Sequence, residues 1–190
     1  MPFSRKPAQP RAALAEPPLY DYAVKALGRR MRTESELRRL LAAKAEPGEP
    51  GQSAIRAVIA QLKERKYLDD RSYAETFTRL RQENEKLGSR RVRQKLAEKG
   101  VPANIAQAAI DARYQGSDEE ALARAHLERK RIHKPENEKE TARVVRRLAS
   151  AGFSTGTIHK ILRNWNVPDE SLAQIDSIQT DSIGETSGEE

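Results

Sequence analysis

The stretch "KYLDDRSYAETF" (residues 66–77) sets Asp69 and Asp70 side by side, in a chain with 35 Lys and Arg against 28 Asp and Glu. Adjacent carboxylates suit acid/base work in a cleft or the binding of a hard divalent cation. Either task needs a third group or further ligands, and the sequence assembles none. The three histidines, His126, His133 and His159, lack metal-ligand spacing and read as solvated helix residues. There is no phosphate loop, no Gly-rich dinucleotide turn, no H-E-x-x-H and no G-x-S-x-G. An enzyme is therefore not expected, nor is a metal or cofactor. The quieter role is structural: carboxylates at a helix start accept free backbone N–H groups and oppose the dipole, worth about 0.5–2 kcal/mol. Asp69 and Asp70 are expected to cap, with Tyr67 and Leu68 before them and Tyr73 and Phe77 after them sealing one repeat copy against the next.

The second group with chemical potential is arginine. With Val92 and Leu96 turned inward at about 100° per residue, Arg90 and Arg93 face out and Arg91 lies on the flank. The same rotation exposes Arg38 and Arg39 in an earlier helix, and Arg143 and Arg146 in a later one. A guanidinium donates paired hydrogen bonds to phosphate, and equally to carboxylates on a protein. A solvated helix face laced with i, i+4 pairs accounts for part of the same pattern. Lys44 and Lys99, at helix ends, point back toward the core, where stem packing and the macrodipole explain them.

These positions recur because the sequence repeats. Residues 91–110 lie over 143–162 at an offset of 52 without a gap: Arg91, Val92, Leu96, Ala97 and Gly100 meet Arg143, Val144, Leu148, Ala149 and Gly152. An earlier copy, at an offset of 55, sets Leu37, Leu41, Ala42 and Lys44 over Val92, Leu96, Ala97 and Lys99. Apolar spacing of three and four, punctuated by Gly and Pro, predicts three helices per copy. They are expected near 19–30, 34–44, 52–66, 70–86, 88–99, 103–113, 117–133, 136–150 and 154–165, with "AEPGEPG" (45–51) as a loop. Thr33-x-x-Glu36, Ser72-x-x-Glu75 and Ser117-x-x-Glu120 match the capping box, and Gly100 and Gly152 fall where helices end. The expected fold is all-α, an elongated array of three tandem three-helix repeats spanning 19–68, 69–115 and 116–168. Trp165 reads as a core residue, with base stacking as the alternative.

Charge divides along the chain. Residues 1–18 hold five prolines and read as a disordered basic arm; residues 169–190 hold seven acids and no Lys or Arg, and read as a disordered acidic tail. The body between carries 32 basic against 20 acidic residues, about +12, which favours a polyanionic partner. Cysteine is absent and no segment approaches the roughly 20 apolar residues of a membrane span, so a cytoplasmic monomer without membrane contact is expected.

"LKERKYLDDRSYAETF", followed by "KLGSRRVRQKLAEKGVPANIAQAAI", resembles the central signature of the RecX family of bacterial recombinase regulators. An aromatic-Leu-Asp-Asp run opens that family's second copy, as Tyr67 to Asp70 do here, and Lys-Gly follows its second basic helix, as Lys99-Gly100 does. "SELRRLLAAK" and "ASAGFSTGTIHKIL" resemble the first- and third-copy motifs. The third copy departs in having Ala151-Gly152, the first loop is lengthened, and the acidic tail is no family hallmark. The resemblance implies three three-helix units that lie in the groove of the RecA–DNA filament, with single- and double-stranded DNA contacted through phosphates. It implies restraint of strand exchange, ATP hydrolysis and coprotease activity in DNA repair and the SOS response. Arg38, Arg39, Arg90, Arg91, Arg93, Arg143 and Arg146 are then the expected RecA- and DNA-binding surface. The alternative is a free-standing helix-turn-helix-like DNA-binding protein.

Overall fold

The structure, a computed structural model, describes residues 14–167; the acidic tail and most of the expected N-terminal arm lie outside them. Nine helices are described: α1 (Glu16–Arg29), α2 (Glu34–Ala42), α3 (Glu49–Glu64), α4 (Asp70–Glu85), α5 (Ser89–Glu98), α6 (Ala103–Tyr114), α7 (Glu119–Arg129), α8 (Glu138–Ser150) and α9 (Thr155–Asn164). Among the described residues the only β feature is an isolated bridge between Leu14 and Ala45. The fold is an all-α helical-repeat fold, as the spacing predicts.

Two helices start earlier than periodicity suggests, both for the same reason. Proline supplies a fixed φ and needs no partner for a missing N–H, so Pro17 and Pro18 open α1 and Pro50 opens α3. The first takes residues from the expected arm, the second from the expected loop.

The chain forms two compact units. One runs to Tyr73 and includes Lys99–Val101; the other holds Ala74–Glu98 and the chain from Pro102 onward. In the first, α1 and α2 pack on α3 around Leu19, Leu37, Leu41, Ile55, Val58, Leu62 and Leu68. Each such side chain contributes about 1.5–3 kcal/mol on burial. In the second, α5 packs on α6, while α7 and α8 pack on α9 around Leu148, Phe153, Ile158, Ile161 and Leu162.

The starts of the helices correct the capping assignments. Thr33 caps α2, accepting from the Glu36 N–H at 3.0 Å. For α4 the cap is Asp69, not Ser72: Asp69 Oδ1 accepts from the N–H of Arg71 (2.8 Å) and Ser72 (3.3 Å), and the Ser72 hydroxyl donates to Oδ2. For α7 it is Asp118, not Ser117, accepting from Glu120 and Ala121 N–H at 2.9 and 3.0 Å. A carboxylate outcompetes a nearby hydroxyl because the charge also meets the positive helix end. Asp70 turns elsewhere: its Oδ1 accepts the N–H of Glu34, the first residue of α2, at 2.8 Å. Glu119, which follows Asp118, does the same to Ser154, the cap of α9, accepting its N–H at 2.9 Å and its hydroxyl at 2.5 Å. An acidic pair thus serves two helices, one residue each.

The ends share one construction. At Lys66, Arg131, Gly152 and Asn166 a left-handed residue (φ 56°, 53°, 92° and 54°) follows the helix. The next residue, Tyr67, Ile132, Phe153 or Val167, sends its N–H back to Leu62, Leu127, Leu148 or Leu162. Phe153 and Val167 are buried, as the motif favours, but Tyr67 is 60% exposed. The expectation of the opening stretch, that Tyr67 seals against a neighbouring copy, fails; buried Leu68 does the sealing within its unit.

Two glycine turns, at Gly100 and Gly152, dock onto helix starts. Within the first unit, the Lys99 carbonyl accepts the hydroxyl of Thr33, the α2 cap, at 2.6 Å, and a Cβ on Gly100 would lie 2.4 Å from that of Ser35. Within the second, the carbonyl of Ala151, the α8 cap, accepts the Gly88 N–H at 2.9 Å. There a Cβ on Gly152 would lie 2.3 Å from the Arg91 nitrogen, and one on Gly88 would lie 2.3 Å from the Gly152 oxygen. Gly88→Ala must move backbone and should cost about 1–3 kcal/mol, whereas Gly28→Ala, in helix α1 with nothing within 4 Å, should gain about 0.5–1 kcal/mol. Thermal unfolding of both variants checks the pair; equal melting temperatures would contradict the close-approach account. Asp69→Ala should cost about 1 kcal/mol in the same measurement.

Candidate functional site

The strongest concentration of unspent charge lies in the second unit. A cleft of about 560 Å³ is lined by Arg91 and Lys95 of α5, by Arg143, Arg146, Arg147 and Ser150 of α8, by Lys130 and Ile132 after α7, and by Glu85, Leu87, His126 and Ala151. Its geometry follows from helical pitch. In α8 the buried row Thr141, Val144, Val145 and Leu148 leaves Arg143, Arg146 and Arg147 along its edges. In α5 the buried pair Val92 and Leu96 leaves Arg91 and Lys95, one turn apart, on the side that meets α8. Docking of the α8 end onto the α5 start brings the two edges together.

Six cations meet one carboxylate there, and the carboxylate is already taken: Glu85 pairs with Arg81. Arg91 donates to Gln94 Oε1 at 2.7 Å. Among the described residues no ion pair engages Lys95, Lys130, Arg143, Arg146 or Arg147. The charge of such a surface suits anions. No cluster of three or more metal-ligating side chains occurs among the described residues.

The structure divides the expected arginines. Arg91, Arg143 and Arg146 share the cleft. Arg90 lies within electrostatic reach of Glu119, and Arg93 donates to Gln107 Oε1 of α6 at 2.9 Å, so neither lines it. Arg38 is held by Glu34 at 2.5 Å, and Arg39 donates to the Ser35 carbonyl at 3.4 Å; both belong to the first unit. Lys95, Lys130 and Arg147 went unnoticed in the sequence, although the i, i+4 spacing of Arg91 with Lys95 and of Arg143 with Arg147 carried a signal. Lys99 does not simply pack its stem: Nζ pairs with Glu36 at 2.7 Å. Burial pushes that carboxyl up, but the Lys99 hydrogen bond and charge leave it below the ordinary value.

The carboxylates that start helices are tuned apart. Burial raises Asp70, only partly offset by the Glu34 N–H, while the Ser72 hydroxyl and the backbone donors hold Asp69 low. Glu34 is lowered, chiefly by its hydrogen bond from Lys63 at 2.9 Å. Burial raises Glu119, but Ser154 and Thr157 more than reverse it. These are structural ion pairs and caps.

At the cleft floor His126 is 5% exposed, with Nδ1 3.1 Å from the Glu85 carbonyl and its ring edge-on to Phe153 at 5.8 Å. It is therefore no solvated histidine. Trp165 is only partly buried, at the C-cap of α9, where buried Val167 closes the core instead.

Residues 69–110 match the family model for the second three-helix domain of RecX. The chain is 35% identical over 141 residues to a regulatory protein RecX of Leptothrix cholodnii, covering 74% of this chain and 85% of that one. The chain belongs to the RecX family. A regulatory protein RecX of Oceanobacillus iheyensis is 26% identical over 84% of this chain, which spans only 58% of that longer protein. The crystal structure of RecX from Lactobacillus salivarius shares the fold, with a TM-score of 0.63, 21% identity, and coverage of 78% of this chain and 95% of that one. The RecX family is one of regulatory proteins rather than enzymes, and no described helix is long and apolar enough to cross a membrane.

His126 gives this RecX chain a measurable pH signature. Burial lowers its pKa, helped by the nearby Lys130 cation, so the folded form prefers the neutral ring. Its stability contribution is full above the unfolded value of about 6.5 and is lost as pH falls below it. Wild type should lose unfolding free energy as pH falls below about 6.5, the unfolded value, and His126→Gln should flatten that slope. Urea unfolding across this window checks it; parallel curves would refute the assignment.

Proposed function

We propose that this chain regulates the RecA recombinase by lying in the groove of the RecA–DNA filament, and that it inhibits ATP hydrolysis, strand exchange and coprotease activity. It does so as a cytoplasmic monomer. Family membership supports the partner, and one observation supports the mode of contact: the α5–α8 cleft, whose six cations form no ion pair among the described residues. DNA phosphates complete those hydrogen bonds. Arg91, Arg143, Arg146 and Arg147 offer planar forks to phosphate oxygens, while Lys95 and Lys130 add point charges. Arg38, Arg39, Arg90 and Arg93 are then assigned to contacts with RecA, their present partners being exchanged for its carboxylates.

Contact through phosphates is sequence-tolerant. Few Asn or Gln side chains flank the cleft, so base edges go unread, as suits a filament regulator more than a site-specific duplex reader. Engagement of about five phosphates gives a slope of log affinity against log salt near −3.5 on single strands. Charge reversal at two positions, Arg143→Glu with Arg147→Glu, should remove about −1.4 from that slope and abolish suppression of RecA ATPase at wild-type concentration. RecA ATPase on single-stranded DNA, with both orders of addition and helicity checked by circular dichroism, measures it. Full suppression by the double variant would overturn the cleft as the contact. A preferred duplex sequence bound without RecA would favour the free-standing DNA-binding alternative.

A further inference from the structure

Three concavities of the second unit share walls. The first, about 620 Å³, is lined by Asn166 and Val167, where the described chain ends, and by Lys134 and Pro135. Lys134 and Pro135 also line the second, of about 270 Å³, together with Lys130, Arg143 and Arg147. Those last three in turn line the basic cleft. A trough therefore runs from the point where the described chain leaves α9 to the basic cleft. Its mouth carries Glu136 and Glu138 and its middle Glu140 against five cations, while the cleft at its far end holds six cations and only Glu85, which pairs with Arg81, so its charge grows more positive along its length.

What leaves at that mouth is the oppositely charged segment of the sequence. Residues 169–190 contain Asp169, Glu170, Asp176, Asp181, Glu185, Glu189 and Glu190 and no Lys or Arg. At roughly 3.3 Å per extended residue, the 23 residues after Val167 have a reach of about 75 Å, longer than any path within one unit of this size. Tethering holds them at high effective concentration beside the cleft.

We infer that the acidic segment 169–190 occupies the basic cleft of its own chain when no other polyanion is bound, and competes with DNA for it. The acids nearest the mouth, Asp169 and Glu170, face Glu136 and Glu138 and contribute little. Asp176 and Asp181, set in "DSIQTDSI", lie farther along the segment and supply the charge that the cleft's cations lack. Occupancy in cis does not depend on the proposed function; competition with DNA does.

Carbodiimide coupling of the full-length protein tests occupancy directly, because it joins a lysine only to a carboxylate in contact with it. Mixed light and heavy isotope-labelled protein separates links within a chain from links between chains. Tail carboxylates should couple within the chain to Lys95, Lys130 and Lys134, about fivefold over exposed Lys25 and Lys66, and single-stranded DNA should suppress those links. In a full-length variant with all seven tail acids changed to amides, affinity for single-stranded DNA at low salt should rise about fivefold. Links scattered over all lysines, or formed mainly between chains, overturn the inference, and so does unchanged DNA affinity of the amide variant when wild type binds DNA. If cleft links form but neither protein binds DNA, cis occupancy stands and the DNA-binding proposal fails.

Discussion

Close backbone approach at the helix ends is the constraint on which the rest depends. Twice a left-handed glycine closes against the amide-rich start of a helix, Gly100 on α2 within the first unit and Gly152 on α5 within the second. Neither contact has room for a Cβ. The partners differ in chemistry but not in role: a threonine hydroxyl reaches the Lys99 carbonyl, and a glycine N–H reaches that of Ala151. Each junction satisfies orphan backbone groups, and within the second unit the dipoles of α8 and α5 meet head to tail, which brings opposite partial charges together. Because these contacts are specific in angle as well as distance, they set which helix edges become neighbours. The α5–α8 cleft is a product of the second junction.

Charge is then allocated by what each junction leaves open. In the first unit acids and bases find one another: Glu34 takes Arg38 and Lys63, and Glu36 takes Lys99. Half-buried pairs of this kind fix helix starts more than they stabilise, since solvent screening and side-chain entropy offset much of the attraction. In the second unit the acids are consumed at helix ends. Asp118 caps α7, Glu119 serves α9, Glu83 holds Arg79 and Arg113, and Glu85 holds Arg81. Among the described residues, no ion pair is left for Arg143, Arg146 or Arg147 of α8.

The sequence made the helices, the repeat and both glycine turns legible, because each rests on local spacing that packing had no reason to override. Helix starts at Glu16 and Glu49 were less legible, since Pro50 within a Gly/Pro run reads equally as loop and as first turn. The division of labour in Asp69–Asp70 was half visible. That a carboxylate caps a helix is local; that Asp70 reaches α2 depends on a partner 36 residues away. The pair Asp118–Glu119 works the same way and carried the same signal, an acid doublet before a helical run. His126 could not be read: its three-residue spacing from buried Ala123 puts it on the inner face, but only the fold shows the Glu85 carbonyl that accepts burial of a polar ring there. Tyr67 misled for the opposite reason, because its position in the turn ordinarily buries an apolar side chain.

The cleft's form bears on what it suits. Its cations stand in two rows, Arg91 with Lys95 and Arg143 with Arg147, each separated by one helical turn, about 6 Å of rise. A site for one small anion would converge its donors and lock them with hydrogen bonds from behind, as Glu119 is locked by Ser154 and Thr157. Here the long side chains lack such supports, apart from the Arg91–Gln94 contact. Unsupported side chains lose more entropy on fixing a single geometry, but they follow a charged polymer at little cost because many arrangements neutralise it equally well. The same looseness that makes the cleft a poor chelator makes it tolerant of sequence along a bound strand, and equally open to a tethered acidic segment of its own chain.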